Sequence, residues 1–429
     1  MKIQVPKGTQ DILPGEVEKW HYVEAMMRKV ASQYGFQEIR TPLFEHTELF
    51  QRGIGMTTDV VEKEMYTFED KGKRSLTLRP EGTAGAARAF IEHSYAARPQ
   101  PTKFYYIGPI FRYERPQAGR YRQHHQFGVE VFGSPLPIAD AEVIILALDL
   151  FSRLGLTELT VKLNNIGCPT CRQSYRQVLI DYLTPRADNL CADCRNRLTR
   201  NPLRVLDCKQ DGCGAIVANA PSITDHLCQD CRDHFSRVLD YLRAAAVRYE
   251  VDPKIVRGLD YYTRTVFEIV YSGLGAQSTV CGGGRYDNLI ETVGGPATPG
   301  VGFGMGIERL LLTLEKNGCY LPGERGPDLY IAAIGDAALE QAFAAMYGLR
   351  QAGVHVVTDL MGRSLKAQLK YADKIGARYV AVLGEAELAA GQVQLKQMQG
   401  GEDWVIAWSD LADWLTEKLG LEANKEEVR

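Results

Sequence analysis

No segment of this sequence is long and apolar enough to cross a bilayer. The longest apolar stretch, 143–148, is stopped by Asp149, well short of the roughly 20 residues that a spanning helix needs. The opening MKIQVPKGTQDILPG lacks the apolar core of a secretory signal, so a cytoplasmic location with no membrane partner is expected. Charge of one sign is also missing: 50 basic residues against 53 acidic ones leave a net −3, which excludes a chain coated in positive charge but leaves local basic patches open. Repeats and low-complexity tracts are absent. Cysteine, by contrast, is plentiful. Ten occur, eight of them in residues 168–231, and in a cytosolic chain paired Cys-x-x-Cys units point to metal or redox chemistry more than to disulfides.

At 429 residues the chain can bury two or three cores. Helical periodicity runs over 16–34 and a short extended piece over 36–39. Residues 74–78, 103–111 and 125–132 read as strands, with Phe127, Val129 and Val131 on one face and Gln126, Glu130 and Phe132 on the other. An apolar helix follows over 139–154, and strand-like sequence returns at 266–271. Antiparallel strands with flanking helices predict an α+β domain over 1–325, interrupted by a Cys-rich insertion over 168–240 with few apolar runs. The linker Leu321-Pro-Gly-Glu-Arg-Gly-Pro327 opens a second domain, 326–421, reading strand 329–333, helix 337–351, strand 354–357, helix 364–375 and strand 379–383. That alternation implies an α/β unit with a parallel sheet. Residues 422–429 read as a frayed tail.

Arg112 stands at a strand end before a basic loop, suited to hold a phosphate bidentately or simply to solvate a hairpin. Arg257-Gly-Leu-Asp-Tyr-Tyr262 sets an arginine and two aromatics around a glycine turn. A Gly-rich turn at 282–284 and the Gly-x-Gly at 304–306 are places where a nucleotide could approach, or where backbone packs closely. Lys366, Lys370, Lys374 and Arg378 recur every four residues without matching acids, opposite Leu365, Leu369, Ala372 and Ile375. This is either a solvated face or a phosphate-backbone surface. Cys168-Pro-Thr-Cys171, Cys191-Ala-Asp-Cys194 and Cys228-Gln-Asp-Cys231 are three Cys-x-x-Cys units, and Cys208 with Cys213 is a looser fourth. Two such units complete one Cys₄ site, so eight ligands allow one or two structural zinc ions, or a set of reduced thiols.

Taken together, these segments resemble the histidyl-tRNA synthetase family of class II aminoacyl-tRNA synthetases. Pro42-Leu-Phe-Glu-His-Thr-Glu-Leu-Phe50 is similar to motif 1, Phe111-Arg-Tyr-Glu114 with the returning strand to motif 2, and 302–311 with Glu308-Arg309 to motif 3. Arg257-Gly-Leu-Asp-Tyr-Tyr262 and Gly283-Gly-Arg-Tyr-Asp287 resemble the two histidine signatures, and Leu78-Arg-Pro-Glu-Gly-Thr83 completes the set. The resemblance implies an antiparallel-sheet catalytic domain and a C-terminal anticodon-binding domain, working as a homodimer on L-histidine, ATP with Mg²⁺, and histidine tRNA. It implies Arg112 and Arg257 as catalytic residues at the α-phosphate and Arg309 at the γ-phosphate. It further implies Glu81, Gly82, Thr83 and Gln126 at the α-ammonium, Glu130, Tyr261 and Tyr262 at the imidazole, and Arg115 and Gln117 at the tRNA acceptor end. Lys366, Lys370 and Lys374 would then face tRNA. Synthetase-like regulatory subunits of histidine biosynthesis share the fold, but they usually lack the C-terminal domain and lose these arginines.

Overall fold

In a computed structural model of the chain, residues 3–117, 119–208, 210–273 and 279–421 are described, so the expected tail 422–429 lies outside the described residues. The chain divides into Met1–Pro322 and Gly323–Arg429, and the division falls inside the Pro/Gly-rich linker.

The first unit is built on an eight-stranded sheet. Its centre is antiparallel: Thr102–Phe111 pairs with Gln123–Phe132, which pairs with Gly300–Gly306, then Thr279–Arg285, Thr263–Val270 and Thr160–Asn165. Only the edge strands Gln37–Glu38 and Tyr249–Val251 run parallel to their neighbours. Strand alternation sends Phe127, Val129, Val131, Phe267, Ile269, Val301, Phe303 and Met305 to one face, where they form a core with helices Val17–Gln33, Pro137–Arg153, Ile307–Lys316 and the second half of Gln229–Ala244. The opposite face carries Gln126, Gly128 and Glu130 on the same strand, because successive side chains point to opposite sides.

On that opposite face the central strands are paved with glycine. A Cβ on Gly302 would lie 2.2 Å from Glu130 Oε2, one on Gly304 2.3 Å from Gln126 Nε2, one on Gly128 2.3 Å from the Tyr106 ring, and one on Gly282 2.6 Å from the Arg257 guanidinium. Residues 282–284, expected as a turn, lie inside a strand. Their glycines leave room for side chains arriving from other elements, and only Gly284 has a left-handed φ, +155°.

The Cys-rich insertion also departs from expectation. It enters after Thr160–Asn165 and is helical, with helices Pro169–Leu183, Ala192–Arg200 and Asp211–Val217 ahead of Gln229–Ala244. Its buried Tyr175, Leu179, Leu183, Leu190, Leu198, Val205 and Val217 form one apolar cluster that continues into Phe90, Phe132, Tyr261 and Tyr262 of the catalytic unit. Its apolar residues come singly at helical intervals, as in Cys171, Tyr175, Leu179 and Leu183, so no run announces them.

The second unit holds five strands. Val356–Thr358, Leu329–Ala333 and Tyr379–Leu383 are parallel as expected, but Gln392–Gln397 and Asp403–Ala407 add an antiparallel edge. Val393 and Leu395 face the core while Gln392, Gln394 and Lys396 are exposed, a two-residue period that marks a strand with one face buried.

One ion pair inside the first unit is fully enclosed. Arg285 and Asp140 are each less than 2 % exposed; Arg285 Nη2 donates to Asp140 Oδ2 at 2.5 Å and Nη1 to Asp287 and the Ser134 carbonyl. His234 Nε2 lies 3.3 Å from Asp140, and His234 Nδ1 faces Arg264. Burial opposes ionisation of Asp140, yet Arg285 and His234 together hold its carboxyl at about 2. A folded-state value below the ordinary 3.8 means stability that is present above that pH and lost as pH falls towards 2. Asp140→Asn should therefore lower the stability of this unit by roughly 3–5 kcal/mol at pH 7, because it removes the buried partner of an enclosed guanidinium and leaves it only the half-buried Asp287. The gap from the parent chain should narrow between about pH 4 and 2 as the parent carboxylate protonates. Thermal unfolding of both chains across that range checks this; equal melting at pH 7 would refute it.

Candidate active site

Two compartments meet on the glycine-paved face. The first is a cluster around Glu130, which is fully buried. Thr83 Oγ1 donates to Glu130 Oε1 at 2.7 Å and the Tyr106 hydroxyl to the same oxygen at 3.1 Å, while the Tyr286 hydroxyl bonds Oε2. Burial raises the Glu130 carboxyl to about 8, against the lowering effect of these three donors. Glu81 sits at the start of helix Thr83–Glu92 and accepts the backbone N–H groups of Thr83 and Ala84 at 2.7 Å each, which satisfies donors that a helix leaves unpaired. Gly82 must lack a side chain, because a Cβ there would fall 2.2 Å from the Tyr106 ring. Tyr261 and Tyr262 close the cluster, with ring centroids 4.7 Å apart and Tyr261 5.6 Å from Tyr286. Gln126 is half-buried at its edge, 3.5 Å from the Tyr106 hydroxyl.

The second compartment is a cavity of about 210 Å³ lined by Arg112, Arg257 and Arg309 together with Glu114, Arg120, His124, Gly282, Gly304 and Gly306. Arg112 Nε is anchored on the Pro80 carbonyl at 2.7 Å, next to the Glu81 segment. Arg257 pairs with Glu268 at 2.5 Å and lies over the Tyr262 ring at 5.8 Å, so the cavity and the cluster adjoin; its Nε is buried with no partner among the described residues. Arg309 Nη1 donates to the Thr279 carbonyl at 3.2 Å. Its neighbour Glu308 accepts the His125 backbone N–H at 2.9 Å and meets His125 Nδ1 at the same distance, fixing the helix Ile307–Lys316 to the strand Gln123–Phe132. His124 is half-buried, and desolvation with the nearby Arg112 charge lowers it to about 3, keeping a neutral imidazole in this cavity.

Three arginines from separate stretches of sequence thus line one cavity beside a buried carboxylate and four tyrosines. The sequence model of the histidyl-tRNA synthetase family matches residues 8–310, and that of an anticodon binding domain matches 328–418. The chain belongs to the histidyl-tRNA synthetase family. Histidine–tRNA ligases of Caldanaerobacter subterraneus and Desulforamulus reducens are 57% and 55% identical to it, each over 95% of this chain and 97% of the relative. The apo histidyl-tRNA synthetase of S. aureus superposes with a TM-score of 0.83 at 39% identity, covering 96% of this chain and 100% of that one. A Bacillus halodurans structure named as an ATP phosphoribosyltransferase regulatory subunit/histidyl-tRNA synthetase shares the fold, at 22% identity and a TM-score of 0.63 over 86% of this chain and 97% of its own.

The remaining expected residues lie apart from the two compartments. Arg115 and Gln117 are exposed on the loop after Phe111, where Gln117 bridges to Arg120. Lys366, Lys370 and Lys374 are exposed on the helix Leu365–Lys374 of the second unit. Asp373, also exposed, interrupts that positive face, so the stripe is less purely basic than its four-residue spacing implied. The eight insertion cysteines form two groups, Cys168, Cys171, Cys228, Cys231 and Cys191, Cys194, Cys208, Cys213, with the thiol sulfurs of each group all within 4.8 Å of one another.

Tyr106 and Tyr286 were not singled out as site residues. Tyr286 lies inside Gly283-Gly-Arg-Tyr-Asp287, a segment noted for its glycines. Tyr106 was legible from pairing, since the hairpin register sets it opposite Gly128, between Gln126 and Glu130.

Proposed function

We propose that the arginine-lined cavity binds ATP and the tyrosine cluster binds histidine, and that the boundary between them is where adenylation occurs. The chain is an aminoacyl-tRNA ligase that joins histidine to tRNA with ATP. In the first step a carboxylate oxygen of histidine attacks the α-phosphorus, an O–P bond forms, and the bond to pyrophosphate breaks. The attacking carboxylate is already ionised at neutral pH, so this step needs charge neutralisation and in-line placement rather than a base. Arg112 and Arg257 would hold the α-phosphate from two sides, and Arg309 the outer phosphates. The 3′-terminal ribose hydroxyl of the tRNA then attacks the activated carbonyl carbon and AMP leaves. The meeting of Arg112, Arg257 and Arg309 in one cavity next to Glu130 is the observation that carries this reading. It also weighs against a purely regulatory role, as does the anticodon-binding match.

Glu81, Gly82, Thr83 and Gln126 would receive the α-ammonium group, and Glu130, Tyr261 and Tyr262 the imidazole. A neutral imidazole donates at one nitrogen and accepts at the other. A buried carboxyl surrounded by tyrosine hydroxyls can read both, and leaving such groups unpaired costs a wrong substrate roughly 10⁴–10⁵ in kcat/KM. Among the described cavity residues Glu114 is the one acid, so Mg²⁺ would sit largely on the phosphate oxygens of ATP with Glu114 in support, further neutralising their charge.

Arg115 and Gln117 would meet the acceptor end of the tRNA, and Lys366, Lys370 and Lys374 its backbone. A homodimer is supported by Leu43, Phe44, Met56 and Phe68, all more than 40 % exposed on and beside the small sheet Phe44–His46, Ser75–Leu78 and Thr67–Glu69. Each cysteine group would hold a structural zinc. Cys168 and Cys171 sulfurs are 3.6 Å apart and Cys191 and Cys208 sulfurs 3.9 Å, close to the ~3.8 Å edge of a tetrahedron with Zn–S bonds of about 2.3 Å. Backbone N–H groups of Cys228 and Cys191 already donate to Cys171 and Cys213 sulfurs. With sulfur at all four positions, neither ion has an open place for substrate.

Arg257→Ala should reduce histidine-dependent pyrophosphate exchange by about 10²–10³, the usual loss for one preorganised charge at a transition state; exchange near the parent rate would overturn its role. Metal analysis of protein purified without chelator should find about two zinc ions per chain, whereas a value near zero with every thiol titrating would refute both sites. Changing Lys366, Lys370 and Lys374 together to Glu should raise the Kd for tRNA and flatten its dependence on salt. An unchanged Kd at two salt concentrations would identify a solvated face.

A further inference from the structure

The residue before the histidine tyrosines is held from every side. Asp260 donates its backbone N–H to the Ile54 carbonyl at 3.0 Å, and its own carbonyl accepts Arg172 Nη1 at 3.3 Å. Its carboxylate accepts Asn201 Nδ2 at 2.8 Å on one oxygen and Thr57 Oγ1 at 3.1 Å on the other. Gly55, with φ +104°, passes so close that a Cβ would lie 2.7 Å from Asp260 Oδ2. Two of these partners, Arg172 and Asn201, come from the insertion, and each stands on a helix that starts in a cysteine group.

Arg172 is in the first turn of Pro169–Leu183, the helix that begins directly after Cys168 and contains Cys171. That helix is rooted on the core sheet: Gly167 N–H donates to Asn165 Oδ1 at 2.8 Å, Arg264 N–H donates to the Gly167 carbonyl at 3.0 Å, and a Cβ on Gly167 would lie 2.5 Å from Cys171 Cβ. Asn201 ends the helix Ala192–Arg200, which Cys191 precedes and Cys194 joins. The same helix docks on the catalytic unit through Arg197 to Asp59 at 2.9 Å and Arg200 to Glu62. Each cysteine group therefore fixes the base of a helix whose polar side chain reaches Asp260.

We propose that Arg172 and Asn201 are positioning residues that clamp Asp260, so that the insertion sets the placement of Tyr261 and Tyr262 and thereby the affinity for histidine. The inference rests on the reading of those tyrosines as the histidine pocket. It does not require that the zinc reading hold, because the contacts to Asp260 are made by the chain itself. A displacement of the tyrosines by even a fraction of an ångström weakens histidine binding, while the ATP cavity is held by other anchors: Arg112 on Pro80, Arg309 on Thr279, and Arg257 on Glu268 of the strand Thr263–Val270.

The test is steady-state pyrophosphate exchange with Arg172→Ala, Asn201→Ala and the double variant, measured at varied histidine and at varied ATP, with metal content determined alongside. Each single variant should raise KM for histidine about tenfold, the loss of one hydrogen bond of this kind, with kcat and KM for ATP within about twofold of the parent. Arg172→Lys should recover much of the loss, since it restores a donor to the carbonyl. Asn201→Asp should be worse than Asn201→Ala, because it sets a second carboxylate against Asp260. Tyr262→Phe serves as the reference for the pocket itself. If Tyr262→Phe raises KM for histidine and the clamp variants do not, the clamp is overturned. If Tyr262→Phe leaves that KM unchanged, the pocket reading is overturned and the clamp with it. A fall in kcat with both KM values unchanged would likewise reject a positioning role.

Discussion

The constraint on which this catalytic unit depends is that one sheet must be packed with apolar side chains on one face and paved with glycine at the centre of the other. Strand alternation makes this possible: every Val, Phe or Ile turned into the core leaves its neighbour turned towards the tyrosine cluster and the arginine-lined cavity. On that side those neighbours are chiefly glycines, at 128, 282, 302 and 304, and each is occupied at Cβ distance by a side chain from elsewhere: Tyr106, Arg257, Glu130 and Gln126. The sheet supplies a floor, and the side chains that stand on it come from neighbouring strands and from the loop at Arg257. This is why Arg112, Arg257 and Arg309 can share a cavity although long stretches of sequence separate them.

The floor carries its own cost in buried charge. Glu130 lies under a layer of tyrosines with its carboxyl raised to about 8, whereas Asp140, on the opposite side of the fold's chemistry, is held at about 2. The difference is one of partners. Asp140 faces a buried guanidinium, and Glu130 faces only neutral hydroxyls, with the carboxylate of Glu81 nearby. A carboxyl in the second kind of setting can change its protonation when a nitrogenous ligand arrives, while one in the first kind is locked as a structural anion.

Much of this was legible in the chain. The alternation of 125–132 assigned Phe127, Val129 and Val131 to the core and Gln126 and Glu130 to the other face, and the faces are as read. The strand–helix order after the linker gave the parallel part of the second sheet to within a residue or two. What failed did so for identifiable reasons. Residues 282–284 looked like a turn because three glycines in a row carry no strand propensity; only the side chains that fill the space above them explain the strand. The insertion looked coreless because its apolar residues are spaced by helical turns instead of in runs. Tyr106 escaped because its importance lies in a cross-strand neighbour, which a single segment does not display.

The pairing of the cysteines has a consequence of another kind. The groups are nested, not consecutive: Cys168 and Cys171 join Cys228 and Cys231, and the other four lie wholly between them. The outer group brings entrance and exit of the insertion to one point on the sheet, beside Asn165. Seen from the core strands, the insertion is a closed loop whose two ends share one root, tied down a second time where its side chains meet Asp59, Glu62 and Asp260. A change of length inside it leaves the spacing of its two ends on the sheet intact, so over evolutionary time the appendage answers to the catalytic unit through those few side chains and not through the register of the strands.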